Sequence, residues 1–337
     1  MKLPVFAFLL SIGLFSCNEH EKIPDVSTIP VSLKTTRFEQ DLFDTTSNNL
    51  LDYLIQLQKK EPGFTETYLS AILNVSPNWP RDSAATYVNS FLTAYRPIFD
   101  SSELTFHNFS PYEKEIKNGL QFVKYYFPTY LLPTRLITYI GPADGYGDIL
   151  TNDALIVGLQ FHLGKDFSLY KTSLVQNTYP TYLSSRFEPG YIVVNCMNNI
   201  VNDLYPEKIN DKSLVIQMIE KGKRIYLLSK FLPKTAEYKL IGYSEKQLED
   251  AYEHEAVIWD LFVKNDYLQI TDKNIIKNYI GESPKTQELG EGAPGNIGSF
   301  CGWQIVKKFA KKNQKLSLQQ LMDTDPEMIL QLAKYKP

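Results

Sequence analysis

Strand-forming runs occupy one short region of this chain, and helical periodicity fills most of the rest. Residues 135–141 and 154–163 are rich in β-branched and aromatic side chains, which is typical of strands. Elsewhere, apolar residues recur every three or four positions in the segments 49–60, 84–99, 112–126, 212–230, 244–266 and 296–311. The pattern predicts an α+β fold that is predominantly helical, with one small β-sheet embedded in a helical domain.

Several polar residues stand where helices are expected to begin. Asp211, Ser213 and Ser244 occupy candidate N-cap positions, and Gln247 follows Ser244 by three residues, which completes a capping-box pattern. The loop 141–148, rich in glycine and aspartate, is interpreted as a hairpin connection between the two predicted strands.

Residues 1–17 differ in composition from the rest of the chain. Lys2 precedes an apolar run, residues 3–15, that is shorter than the ~20 residues needed to span a bilayer. Leu14, Ser16 and Cys17 resemble a lipobox, in which the bulky Phe15 takes the permissive position. We predict a signal peptide over 1–16 and acylation of Cys17 after cleavage. An ordinary signal peptide with an incidental cysteine is the alternative.

The lipid would be followed by a polar segment. Residues 17–33 are polar and interrupted by proline, and we predict that they form the lipidated cysteine and a flexible tether. Residues 34–337 are then expected to form a single globular, mostly helical domain, since 43% of the chain is hydrophobic and 22% is charged. A net charge of −3 argues against nucleic-acid binding.

No complete catalytic or metal-binding motif is present. Residues 290–295 spell G-x-G-x-x-G, but no strand precedes them, so we interpret them as a loop. His254 and Glu255 begin an H-E-x-x-H motif in which Ile258 replaces the second histidine. Asp144 and Asp148 lie on a glycine-rich turn whose spacing departs from that of a calcium loop. We therefore predict no catalytic residue, no metal and no cofactor.

Once Cys17 carries lipid, Cys196 and Cys301 are the remaining thiols. Both lie in apolar segments, so buried free thiols and a disulfide both stay open. Gly298 and Gly302 are spaced to let a second helix approach closely beside Trp303. Aromatic residues cluster at 125–130 and 179–182, which fits either core packing or a binding surface.

Four segments together resemble a known family. They are RFEQDLF at 37–43, YPTYLSSRFEPGYIV at 179–193, GKRIY at 222–226 and PGNIGSFCGWQIV at 294–306. The combination resembles the gliding motility lipoprotein GldB family, and the likeness covers nearly the whole mature chain. The resemblance implies a noncatalytic component of the cell envelope.

That family is also distantly similar to predicted zinc-dependent proteases, which implies a degenerate zincin-like scaffold. Residues 191–204 would be the former active-site helix, and they contain no histidine. Glu220 would stand near the position of the third ligand. The asparagines of that helix are Asn195, Asn198, Asn199 and Asn202.

The resemblance implies a lipid-anchored envelope protein that is required for gliding motility and acts by binding other gliding or secretion-associated proteins. The periplasmic face of the outer membrane is the expected location, with the inner membrane as the alternative. The rival function is a periplasmic zinc-dependent peptidase-like or glycan hydrolase.

Overall fold

The structure is a computed structural model that describes residues 22–44, 50–207 and 211–337. The strands are β1 (Lys34–Arg37), β2 (Arg135–Tyr139), β3 (Ile149–Leu150) and β4 (Ala154–Gly158). The helices are α1 (Phe38–Phe43), α2 (Leu50–Lys60), α3 (Phe64–Thr67), α4 (Arg81–Phe106), α5 (Ser110–Tyr126), α6 (Ser173–Thr178), α7 (Thr181–Ser184), α8 (Ile192–Leu204), α9 (Leu214–Phe231), α10 (Glu237–Ile241), α11 (Glu245–Glu253), α12 (Glu255–Lys264), α13 (Lys273–Ile280), α14 (Ile297–Lys312), α15 (Leu318–Asp323) and α16 (Pro326–Ala333). The prediction of a mainly helical α+β fold with one small sheet is confirmed.

The sheet has the strand order β1-β2-β4-β3. β1 and β4 both run parallel to β2, and β3 runs antiparallel to β4 at the edge. The hairpin interpretation of residues 141–148 is therefore wrong, because parallel strands cannot be joined by a tight turn. The hairpin instead joins β3 to β4, and the loop 140–148 carries the chain across to the far edge.

Burial explains why the central strands were visible in the sequence and the outer ones were not. All five residues of β4 are buried, as are four of the five in β2, so both read as continuous apolar runs. β1 has no buried residue and β3 has two half-buried ones. The run 154–163 stops being a strand at Gly158, where a 3₁₀ turn, Leu159–Phe161, begins.

The predicted helices are present, but one predicted segment forms two helices and one predicted N-cap does not form. The segment 244–266 forms two helices that meet at His254, and the capping box of Ser244 and Gln247 is confirmed. Asp211 has a φ of 57° and caps none of the described helices; the N-cap of α9 is Ser213. Ser213 caps α9 by position, without a side-chain hydrogen bond.

Helices α9 and α14 cross with backbone against backbone. A methyl group on Gly302 would lie 1.7 Å from the carbonyl oxygen of Met218, and one on Gly222 would lie 2.2 Å from the carbonyl carbon of Gly302. Trp303 beside this crossing is fully buried. The predicted close approach at Gly302 is confirmed, and its partner is α9.

The segment before β1 packs against the body. Val26 and Leu33 are buried, and Nε2 of Gln121 on α5 donates a hydrogen bond to the carbonyl oxygen of Ile29 (3.0 Å). This part of the predicted tether is therefore attached to α5. Cys17 and the predicted signal peptide lie outside the described residues.

Candidate functional site

A buried carboxylate lies where the sheet meets α8. Asp148 directly precedes β3, and its side chain is 4% exposed. Its Oδ1 accepts a hydrogen bond from the backbone N–H of Gly158 (3.1 Å), and its Oδ2 accepts one from Nδ2 of Asn195 on α8 (2.8 Å). Nε2 of His162 lies 2.9 Å from the same Oδ2. The carboxylate is therefore surrounded by donors, as a buried charge requires.

His162 is held from both sides of its ring. It is 1% exposed, and its Nδ1 lies 3.2 Å from the carbonyl oxygen of Glu188. Both ring nitrogens thus lie within hydrogen-bonding distance of an oxygen atom. Loss of either side chain would therefore leave buried polar groups without their hydrogen-bond partner.

Helix α8 presents the side-chain amides of two asparagines to Asp148. Asn195 and Asn199 are four residues apart, so they lie on the same face, and Nδ2 of Asn199 donates to the backbone carbonyl of Asp148 (3.0 Å). Asn198 and Asn202 are exposed instead. Asn195 and Asn199 therefore hold Asp148 in place through hydrogen bonds, whereas Asn198 and Asn202 face solvent.

An open cleft runs along the outer side of β3, and we name it the β3 cleft. Its volume is about 1020 Å³, and it is lined by β3, the segment after α5, the end of α8 and helix α15. The described residues that line it include Asp148, Asp203 and Asp323 and no lysine or arginine. Asp148 is buried among hydrogen-bond donors, whereas Asp203 and Asp323 are exposed.

A second cleft lies on the other side of α8, and we name it the α8–α9 cleft. Its volume is about 700 Å³, and Asn202 lines both clefts. Its charged residues are mixed in sign and largely paired. They are Arg186 with Glu282 (3.1 Å), Lys221 with Glu207 (2.6 Å), Arg224 near Glu207 (3.8 Å), and Lys239.

The two aromatic clusters singled out in the sequence reach one cleft each. Phe127 and Tyr130 line the β3 cleft, and Tyr179 lines the α8–α9 cleft. The hydroxyl of Tyr130 donates to Oδ2 of Asp203 (2.7 Å), and that of Tyr179 donates to the carbonyl oxygen of Gly145 (2.7 Å). Phe127 is buried, so this cluster serves core packing and cleft lining together.

The incomplete motifs do not assemble into a shared site. His254 is exposed at the junction of α11 and α12, and residues 290–295 form a loop. Of the two acids on the glycine-rich turn, Asp148 has a buried side chain, whereas Asp144 is exposed. Among the residues that the structure describes, no three His, Cys, Asp or Glu side chains lie close enough to hold a metal ion.

Cys196 and Cys301 are both buried free thiols, on α8 and α14 respectively. Burial raises the pKa of each thiol, since the thiolate would lose its hydration.

Two parts of this site escaped sequence reasoning. The pairing of Asp148 with His162 has no local signature, and β3 is too short to produce a periodic pattern. The four-residue spacing of Asn195 and Asn199 was visible in the sequence. It places both amides on one helix face and could have indicated a shared partner.

The fold and its clefts define a predominantly helical α+β protein with open, polar surfaces on both sides of one helix. No described helix is both long enough and apolar enough to cross a membrane. The chain belongs to the family described as "Gliding motility protein GldB", whose sequence pattern matches residues 19–337. The resemblance drawn from the four motifs is thereby confirmed. The chain is a gliding motility-related lipoprotein of the cell envelope.

No curated protein and no solved structure matches the chain. The likeness to zinc-dependent proteases therefore stays a prediction.

Proposed function

We propose that the protein is a lipid-anchored, noncatalytic binding component that gliding motility requires. In this proposal Cys17 carries the acyl chains, and the folded body recruits other gliding or secretion-associated proteins at the periplasmic face of the outer membrane. Two acyl chains, at about 0.8 kcal/mol for each buried methylene, would make release from the membrane negligible.

The proposal that the protein is noncatalytic is supported by the face of α8 that packs on the sheet. Asn195 and Asn199 have the four-residue spacing of the two histidines in H-E-x-x-H. Amides are poor ligands for zinc compared with imidazole, and both of these already donate hydrogen bonds to Asp148. A helix used in this way supports a buried polar network and leaves the two clefts for binding.

Acylation and anchoring are tested together. Cells that depend on this protein for gliding receive either the parent chain or Cys17→Ala, and are grown with labelled palmitate. We expect Cys17→Ala to lose the label, the membrane fraction and colony spreading. Cys196→Ala is the matched control, because this buried cysteine should leave labelling intact. If the unanchored protein still supports spreading, the anchor is incidental and this part of the proposal is wrong.

The absence of catalysis is tested at the position where a third zinc ligand would be expected. Glu220 pairs with Lys223 on the same helix (3.2 Å). We expect Glu220→Gln to retain full motility, and protein purified without chelator to hold much less than one zinc per chain. Stoichiometric zinc, together with a hydrolytic activity that chelation removes, would favour the peptidase or glycan hydrolase instead.

Recruitment is tested by purifying the protein from detergent-solubilised membranes. We expect other envelope proteins to accompany it, in the parent and in Glu220→Gln alike. Isolation of the protein alone, under conditions that preserve motility complexes in the cell, would contradict the proposed role.

A further inference from the structure

β3 forms one edge of the sheet, and this edge faces the β3 cleft. In the strand order β1-β2-β4-β3, β3 pairs with β4 on one side, and within residues 22–44, 50–207 and 211–337 no strand pairs with its other side. An uncovered edge strand presents backbone donors and acceptors to any extended chain that reaches it. Both residues of β3 line the cleft, so this edge is accessible through it.

The register shows which backbone groups point outward. The N–H of Thr151 donates to the carbonyl oxygen of Ala154 (2.9 Å), which makes these two residues a hydrogen-bonded pair next to the turn. Such pairs alternate along an antiparallel ladder, so Leu150 and its neighbour Leu155 form a pair without mutual hydrogen bonds. The N–H and carbonyl of Leu150 therefore point away from β4 and into the cleft.

The same alternation is visible at Asp148. Two residues before Leu150, its carbonyl oxygen should also point outward, and it accepts the hydrogen bond from Nδ2 of Asn199. At Asp148 the edge is therefore covered by α8. The uncovered part of the edge begins beyond it, at Leu150.

Charge and side-chain contacts define what fits beside this edge. Asp203 and Asp323 are exposed and line a cleft that holds no described lysine or arginine. Leu131 is 83% exposed and lines the same cleft, as do Tyr130 and Tyr205. Carboxylates attract cationic side chains, and an exposed leucine beside tyrosines offers apolar contact to the residues between them.

We propose that the β3 cleft binds an extended, positively charged segment of a partner protein, which adds to β3 as a further strand. Main-chain hydrogen bonds to Leu150 supply the pairing, and lysine or arginine side chains of the segment lie near Asp203 and Asp323. This inference rests on the proposed binding function, because it names the partner chemistry that one of the two clefts recognises.

The test uses the full chain in detergent and a seven-residue peptide with lysine at alternate positions and valine or threonine between them. Binding is measured by titration calorimetry. We expect N-methylation of the central amides to weaken binding by roughly tenfold or more, because it removes strand pairing without changing charge. A glutamate version of the peptide should not bind. Affinity for the lysine peptide should fall as salt rises.

Variants then locate the site. The double variant Asp203→Asn, Asp323→Asn should bind the lysine peptide about tenfold more weakly, and its affinity should depend less on salt. Leu150→Pro should weaken it as well, since proline removes the outward N–H. Glu282→Gln is the matched control, because it removes an acid from the α8–α9 cleft and should leave the affinity unchanged.

No binding of the lysine peptide, or equal binding of its N-methylated form, would overturn the inference. An unchanged affinity in the double aspartate variant would overturn it too. These failures differ from failure of the proposed function, since partners would then still accompany the protein from membranes. Loss of those partners together with intact peptide binding would count against the proposed function alone.

Discussion

The crossing of α9 with α14 offers the sharpest test of the packing, through Gly302→Ala. The added methyl would lie 1.7 Å from the carbonyl oxygen of Met218, whereas such a carbon is essentially never found within 3.0 Å of another heavy atom. The obstructing atom belongs to the backbone, so no rotamer change can relieve the clash. The two helices would have to separate by more than an ångström.

The cost follows from what lines this crossing. Trp303, Met218 and Ile219 are fully buried beside it, and separating the helices would loosen all of these contacts at once. Overpacking of a core costs typically about 1–3 kcal/mol, and alanine regains up to about 1 kcal/mol of helix propensity over glycine. Because backbone meets backbone here, we expect a net loss of about 3 kcal/mol in the free energy of unfolding. Gly302→Leu should cost more.

The matched control is Gly119→Ala, which lies within α5. Its methyl would meet Sδ of Met197 at 2.7 Å, and this flexible thioether can move aside. We expect Gly119→Ala to stay within about 1 kcal/mol of the parent, since the gain in helix propensity offsets the adjustment. Urea unfolding followed by tryptophan fluorescence and by circular dichroism measures both variants. If Gly302→Ala unfolds no more easily than Gly119→Ala, the close approach of α9 and α14 is wrong.

Three further predictions concern buried polar groups. Burial raises the pKa of Glu39 above its usual 4.5, so the folded chain holds the proton more tightly than the unfolded chain does. As the pH rises from 4.5 to the raised pKa, the free energy of unfolding of the parent should therefore fall relative to that of Glu39→Gln. Urea midpoints measured at several pH values check this, and a constant difference would contradict it. Asn195→Asp adds a second carboxylate beside a buried one and should cost about 2–4 kcal/mol in thermal unfolding, whereas exposed Asn198→Asp should cost less than about 0.5 kcal/mol. Cys196 and Cys301 should resist a thiol reagent in the folded chain and react in denaturant; rapid labelling of the folded chain would show that they are accessible.

Much of the helical architecture could be predicted because its causes are local. Helical periodicity and capping boxes depend on residues three or four positions apart, and the box at Ser244 and Gln247 formed as expected. The apolar character of β2 and β4 was equally visible, because both strands are buried on both faces. Periodicity did not predict the break at His254, because the apolar pattern continues through this residue although α11 ends and α12 begins there.

Strand direction and the site could not be predicted in this way. β1 and β3 bury too little to leave a pattern, so neither the parallel pairing of β1 with β2 nor the open edge at β3 was foreseeable. Among the described residues, the β3 cleft is lined by acids without lysine or arginine, and the α8–α9 cleft by charges of both signs, because different segments flank α8 on its two sides.

The sequence by itself determined the family, the mainly helical α+β class and the prediction that Cys17 is acylated, because each is written in neighbouring residues. Only the tertiary structure decided that Asp148 meets His162, that Asn195 and Asn199 turn toward them, and that β3 opens onto an acidic cleft. The physical reason is distance along the chain. Asp148 and Asn199 are 51 residues apart, and the hydrogen bond between them forms only after α8 has packed against the sheet.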